Sequence, residues 1–380
     1  MYPDVLCFSH LRWGFVYQRP NHLMSRCAER RRVFFIEEPL FDSAVPWTQL
    51  DTTLANLTTV VPHLPPGSSG QDARRLQRQA VDDLRAQFGV RAPACWFYTP
   101  MALGFADHVE ASVVVYDCMD QLSAFRGAPP ELELRERRLF SMADVVFTGG
   151  HSLYEAKRHH HPNVHAFPSS VEAEHFATAR GNTLPEPSDQ AAIPRPRLGF
   201  FGVIDERMDL ALLAQLADAR SDWHVVMLGP TVKIDPASLP RRPNLHYLGP
   251  KRYEDLPAYI AGWDVAIMPF AQNEATRFIS PTKTLEYLAA GKPVVSTPIR
   301  DVVRPYGELG LARVGCGAGF VAAVEAALGE RGEPSEAARR AAADARLSST
   351  SWDRTWNEMD ALVRDAAARR HPIARKTTVA

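Results

Sequence analysis

The stretch LGPKRYEDLPAYIAGWDVAIMPFAQNEATRFISPTKTLEYLAAGKPVVST, residues 248–297, decides the fold. Residues 265–270 (VAIMPF) are an apolar run of strand length, preceded by a helix-like segment, 256–261. A polar loop over 273–282 follows, then a helical segment, 284–290, stopped by Gly291, and a further apolar strand, 293–297. The shortness of the apolar runs and their flanking Gly and Pro argue for buried strands. Strand, helix and strand in this order imply parallel pairing with helices on both faces. The polar loop lies at the carboxyl end of a buried strand, where open α/β sheets bind ligands. Ser280, Pro281 and Thr282 suit a helix cap and first turn, and free N–H groups there favour a phosphate. Arg277 and Lys283 add positive charge. Glu286 lies about one turn into the helix, placed to accept hydrogen bonds from sugar hydroxyls.

The same alternation extends on both sides. Residues 5–9, 33–36, 94–98, 113–116 and 144–148 read as strands, with helices over 22–29, 73–88 and 131–142 and a polar loop over 62–70. A stretch with Gly181, Pro185, Pro187, Pro194 and Pro196 and no apolar period then interrupts the pattern, and strands resume at 197–202, 223–228 and 245–248. The expectation is an α/β protein of two Rossmann-like domains facing across a cleft. The first covers residues 1–178, the linker 179–196 and the second domain 197–350, with a crossover helix and tail over 351–380. In that helix Trp352, Trp356, Met359 and Leu362 form one apolar stripe, read as core.

Composition sets outer limits. At 380 residues, a rough prior of about 150 per domain gives two or three domains. Hydrophobic residues at 46% allow real cores, and 43 Lys+Arg against 44 Asp+Glu excludes a globally basic nucleic-acid binder. Cys7, Cys27, Cys95, Cys118 and Cys316 are scattered, as in a protein of reduced thiols, with no zinc-like spacing. The start has no basic n-region or long apolar h-region, and no apolar run nears the ~20 residues of a membrane span. A cytoplasmic protein is expected, touching anionic lipid at the inner membrane face at most weakly, through Arg370, Arg375 and Lys376.

The phrase SPTKTLEYLAAGKPVVST resembles the donor-binding half of GT-B-fold glycosyltransferases, the retaining group 1 family whose signature is two glutamates separated by seven residues. The pattern W-x-F-x-x-Q-R-P-x-H at residues 13–22 resembles a bacterial subgroup of polysaccharide and teichuronic-acid-type assembly. The resemblance implies a hexosyltransferase moving a sugar from a UDP- or GDP-linked donor to a hydroxyl on a saccharide, lipid-linked or small-molecule acceptor, without cofactor, metal or nucleic acid. It implies that Glu286 binds the donor ribose and that the second domain holds the nucleotide. The matching first glutamate would fall at Phe278, so the donor-sugar contacts depart from the pattern, while retention stays what the resemblance implies. Arg207 is the only cation in the loop after Gly202, where the family carries an Arg/Lys pair for the diphosphate. In the first domain, Gly14 admits the donor's close approach, and Arg19 contacts phosphate or acceptor. Asp117 and Asp120, at the end of a strand, are expected at the cleft mouth as catalytic carboxylates, joined by His10. Gly149, Gly150 and Ser152 open a helix suited to an anion. The run His159–His161 reads as a solvated loop, since adjacent residues do not converge on one helix face.

Two rivals remain at this stage. A nucleotide-sugar 2-epimerase shares the fold but lacks the WGFVYQRP loop, and the loss of acid at Phe278 motivates a non-catalytic sugar-nucleotide-binding protein. A dinucleotide dehydrogenase is disfavoured, because no G-x-G-x-x-G follows the first strand.

Overall fold

The computed structural model describes residues 3–181, 183–330 and 332–370. Its first sheet contains β1 (Val5–Phe8), β2 (Val33–Ile36), β3 (Trp47–Leu54), β4 (Leu57–His63), β5 (Ala94–Phe97), β6 (Val113–Cys118), β7 (Val145–Thr148) and β8 (Val164–Ala166), in the order β3-β4-β2-β1-β5-β6-β7-β8. The second contains β9 (Arg197–Phe201), β10 (His224–Leu228), β11 (Leu245–Gly249), β12 (Val265–Met268), β13 (Val294–Ser296) and β14 (Arg313–Val314), in the order β11-β10-β9-β12-β13-β14. All pairings are parallel except β3 with β4.

The central strands are buried along their whole length, as a sheet covered on both faces requires. The β3–β4 hairpin and the short edge strands β8 and β14 are absent from the sequence reading. Trp47–Leu54 (WTQLDTTL) is a largely exposed edge strand whose polar residues carry no core periodicity, and β4 runs on to His63, inside the expected loop.

After β8 the chain passes to the second sheet, whose core takes in Val171, Phe176, Ala179 and Ile193. Within residues 179–196, Gln190 is buried, donating to the Tyr259 carbonyl and accepting from the Trp263 indole at 2.9 Å each. The helix Trp352–Arg370 returns to the first domain, as expected. Trp352, Trp356, Met359 and Val363 enter that core, and Trp352 stacks on His22 at 4.5 Å. Of the residues expected to touch lipid, Arg370 pairs with Asp144 at 2.6 Å, and Arg375 and Lys376 lie outside the described residues. The carboxyl ends of the two sheets face each other: Met119, after β6, and Gly149, after β7, share one cavity with Val203, after β9, and Phe270, after β12.

Candidate functional site

Two larger cavities occupy the cleft. The first, of about 560 Å³, is walled by Trp13, Phe15 and Tyr17 of the first domain and by Gly202, Lys283 and Glu286 of the second. Glu286 lies on the helix Lys283–Ala289, 7% exposed, and its Oε2 has no hydrogen-bond partner. Burial pushes its carboxyl up to about 7, against the pull of Lys283. A buried carboxylate oxygen without a donor is costly, and such orphans mark ligand positions. Burial in turn lowers the Lys283 ammonium, which lies 5.3 Å from the Phe201 ring centroid. Gly202 has φ +137, and a Cβ there would lie 2.3 Å from Lys283 Cε. Only glycine lets the backbone and this lysine approach each other. The helix has seven residues, and its N-cap Thr282 makes no side-chain cap. So short a helix adds little dipole field, and the positive charge at this wall comes from Lys283.

The second cavity, of about 550 Å³, brings His10 and Asp120 together with Arg207, Phe125 and Lys233. Burial lowers His10 to about 4, so its imidazole is neutral at physiological pH. Burial raises Asp120 to about 6, opposed by the charge of Arg207. A carboxylate tuned towards neutrality suits acid–base work on a hydroxyl. A smaller cavity, lined by Asp120, Arg207, Ser280, Thr282 and Lys283, lies between the domains.

Several expected site residues are placed otherwise. Asp117 is wholly buried, not at the cleft mouth. Both its oxygens accept from Arg19 Nε at 3.1 Å, and Arg19 Nη2 lies 2.9 Å from Oδ1. Arg19 also donates to the Phe167 carbonyl, so its guanidinium is spent inside the first domain. The pair is structural, because two buried charges in contact are stable only together. Arg277 is exposed and paired with Glu274 at 3.6 Å, lining none of the cleft cavities described here. Arg207 borders both the second and the smaller cavity, but Asp205 holds it at 2.7–3.1 Å. At Gly14 a Cβ would meet nothing within 4 Å, so no contact inside the chain demands glycine there. Phe278 packs on the core of the first domain, an interdomain contact at the position of the first signature acid. Among the described residues no His/Cys/Asp/Glu group could hold a metal ion, and in the histidine run His161 bonds the Ala143 carbonyl.

The helix end at Gly149–Ser152, expected to take an anion, already holds one. The Ser152 N–H donates to Asp301 Oδ1 at 3.0 Å, and Asp301 belongs to the second domain. A Cβ on Gly150 would lie 2.3 Å from Asp301 Oδ2, so glycine makes room for this carboxylate. Glu155 pairs with Arg304 at 3.0 Å and with Arg300 beside it. On the other side of the first cavity Tyr17 stacks on Tyr253 at 4.6 Å. The Tyr253 hydroxyl donates to Glu172 at 3.0 Å, and His22 beside it holds the Glu172 carboxyl down to about 2. Asp301, Glu172 and Lys233 went unnoticed in the sequence, where nothing marks a contact between domains.

Residues 195–330 match the family model described as Glycosyl transferases group 1, in agreement with the resemblance seen at 280–297. A teichuronic acid biosynthesis glycosyltransferase of Bacillus subtilis (strain 168) is 28% identical over 250 residues, 58% of this chain and 59% of that protein. The match therefore spans less than two thirds of that relative. Sucrose-phosphate synthase from Thermosynechococcus elongatus superposes with TM-score 0.73 at 12% identity, covering 97% of this chain and all of its own. HepE of Anabaena, in complex with UDP and glucose, superposes with TM-score 0.67 at 14% identity, over 96% of this chain and all of its own. The fold is that of the GT-B glycosyltransferases.

Proposed function

We propose that the protein transfers a hexose from a UDP- or GDP-linked donor to a hydroxyl acceptor, with retention and without a metal ion, in cell-surface polysaccharide or glycolipid synthesis. The carrying observation is the orphaned carboxylate oxygen of Glu286 in a cavity shared with Lys283 and the glycine backbone of Gly202. Glu286 accepts from the ribose hydroxyls. Lys283 neutralises the diphosphate, which lies against Gly202. The acceptor hydroxyl approaches the anomeric carbon on the face that the diphosphate leaves, so that the new C–O bond forms there as the bond to the diphosphate breaks and the configuration is kept. Asp120 orients that hydroxyl and takes up its proton, and neutral His10 holds a neighbouring hydroxyl. Likeness to the group 1 family supports retention, and likeness to the UDP-bound HepE supports UDP ahead of GDP. The relatives' activities are transfers, which favours a transferase over an epimerase or a non-catalytic binder.

The acceptor is a saccharide, lipid-linked or small-molecule hydroxyl, met in the cytoplasm or at the inner membrane face. No helix among the described residues is long and apolar enough to cross a membrane, and the exposed Phe41, Val45 and Trp47 support a surface contact. The test is a thermal-shift series with UDP, GDP and their sugars. At least one nucleotide raises the melting temperature, and Glu286→Ala abolishes that rise. If no nucleotide stabilises the protein, the reading fails.

A further inference from the structure

The second cavity carries more positive charge than a neutral acceptor needs. Arg12, Arg126, Arg207 and Lys233 all border it. Arg12 pairs with Glu37 at 2.9 Å, and Arg207 pairs with Asp205. Lys233 and Arg126 form no ion pair among the described residues. Lys233 belongs to the second domain, yet its Nζ lies 4.8 Å from the ring centroid of Phe125 in the first. Arg207 faces the same ring at 5.4 Å.

The loop that delivers Lys233 is held in place. Val232 N–H donates to the Ile204 carbonyl at 3.0 Å, and Ile204 pairs with Thr231 in a β-bridge. Lys233 itself has φ 60, one of two non-glycine residues with positive φ among those described. A residue is kept in that region only where the surrounding structure over-determines it, and such strain gathers at ligand sites. The charge of Lys233 is felt across the cavity. It lowers His10 and works against burial at Asp120 and Glu38. The cavity therefore has carboxylates able to take hydroxyls, an aromatic side chain at its wall, and an ammonium that forms no ion pair among the described residues.

We propose that this cavity selects an acceptor carrying an anionic group, a carboxylate or a phosphate, and that Lys233 recognises that group. The word acceptor rests on the transferase reading above. The anion site itself rests on the cavity alone.

The test titrates the full chain, with and without saturating UDP, with p-nitrophenyl β-D-glucuronide, glucose 6-phosphate and the neutral p-nitrophenyl β-D-glucoside, followed by saturation-transfer NMR. At least one anionic ligand binds about fivefold or more tighter than the neutral one, and added salt narrows the gap. The tighter of the two anionic ligands identifies the group as carboxylate or phosphate. Lys233→Met erases the preference and Lys233→Arg retains it, with circular dichroism verifying that both variants fold. Equal affinities, no binding of any of the three, or a preference that survives in Lys233→Met overturns the proposal. A failure of UDP to bind counts against the transferase reading instead, and the titrations without UDP still decide the role of Lys233.

Discussion

Replacing Glu286 by Gln separates what the carboxylate does for the fold from what it does for a ligand. Its carboxyl is raised from 4.5 to about 7. A carboxyl with a raised folded-state pKa binds its proton more tightly in the folded chain, so stability falls as pH rises from the unfolded to the folded value. At ~1.4 kcal/mol per pH unit, the whole interval amounts to about 3 kcal/mol by pH 8. At pH 5 the cost is under about 1 kcal/mol, because the unfolded chain has only begun to ionise. Gln stands in for the protonated acid, so Glu286→Gln is the more stable protein at pH 8, by up to about 3 kcal/mol, and nearly equal at pH 5. Urea denaturation of both proteins across this range measures the difference. Binding runs the other way. Hydroxyl groups of a nucleotide donate to the ionised form, so wild-type affinity for UDP-glucose, which has no phosphate titrating near neutrality, falls as pH drops below about 7. Calorimetry on Glu286→Gln shows a loss of about tenfold or more and no such pH dependence. A stability difference equal at pH 5 and pH 8 would refute the assignment of Glu286 as a buried carboxyl raised by its surroundings.

Three further outcomes follow from the same geometry. Arg19→Ala leaves Asp117 as a buried uncompensated charge, so it costs about 3–5 kcal/mol of stability in urea denaturation; loss of activity with stability intact would restore Asp117 and Arg19 to the site. Gly202→Ala places a Cβ 2.3 Å from Lys283 Cε at φ +137, so UDP affinity measured by calorimetry drops about tenfold or more, and an unchanged affinity removes Lys283 from the diphosphate. Asp301→Ala frees the Ser152 N–H and leaves that side of the domain contact to the Glu155 pairs with Arg300 and Arg304, so small-angle scattering shows a larger radius of gyration, whereas an identical profile means the Asp301 contact holds nothing closed.

The sequence revealed the fold through elements with strong local signals. β12 and the helix after it stand out because an apolar run, a polar loop ending in Ser280-Pro281-Thr282 and the glycine stop at Gly291 follow one another within 27 residues. The Trp352 stripe was equally legible, since helical spacing alone puts its side chains on one face. The β3–β4 hairpin was not, because an exposed edge strand has no core to impose a pattern. Glu286 and Lys283, which one short phrase singles out, both border the first cavity. Asp117 was misplaced because a carboxylate at a strand end looks the same whether it faces the cleft or an arginine ninety-eight positions away in the chain.

Residues 248–297 by themselves determined a parallel α/β unit with a glutamate one turn into a helix, since strand length and helical spacing are local properties. Whether a charge was free or spent was decided only by the tertiary structure. Arg19, Arg207 and Arg277 each meet a carboxylate, and the helix end at Ser152 is filled by Asp301, while Glu286 keeps an oxygen without a donor. Charge availability depends on which distant groups come within about 4 Å and how much water is excluded, and neither is written in sequence spacing.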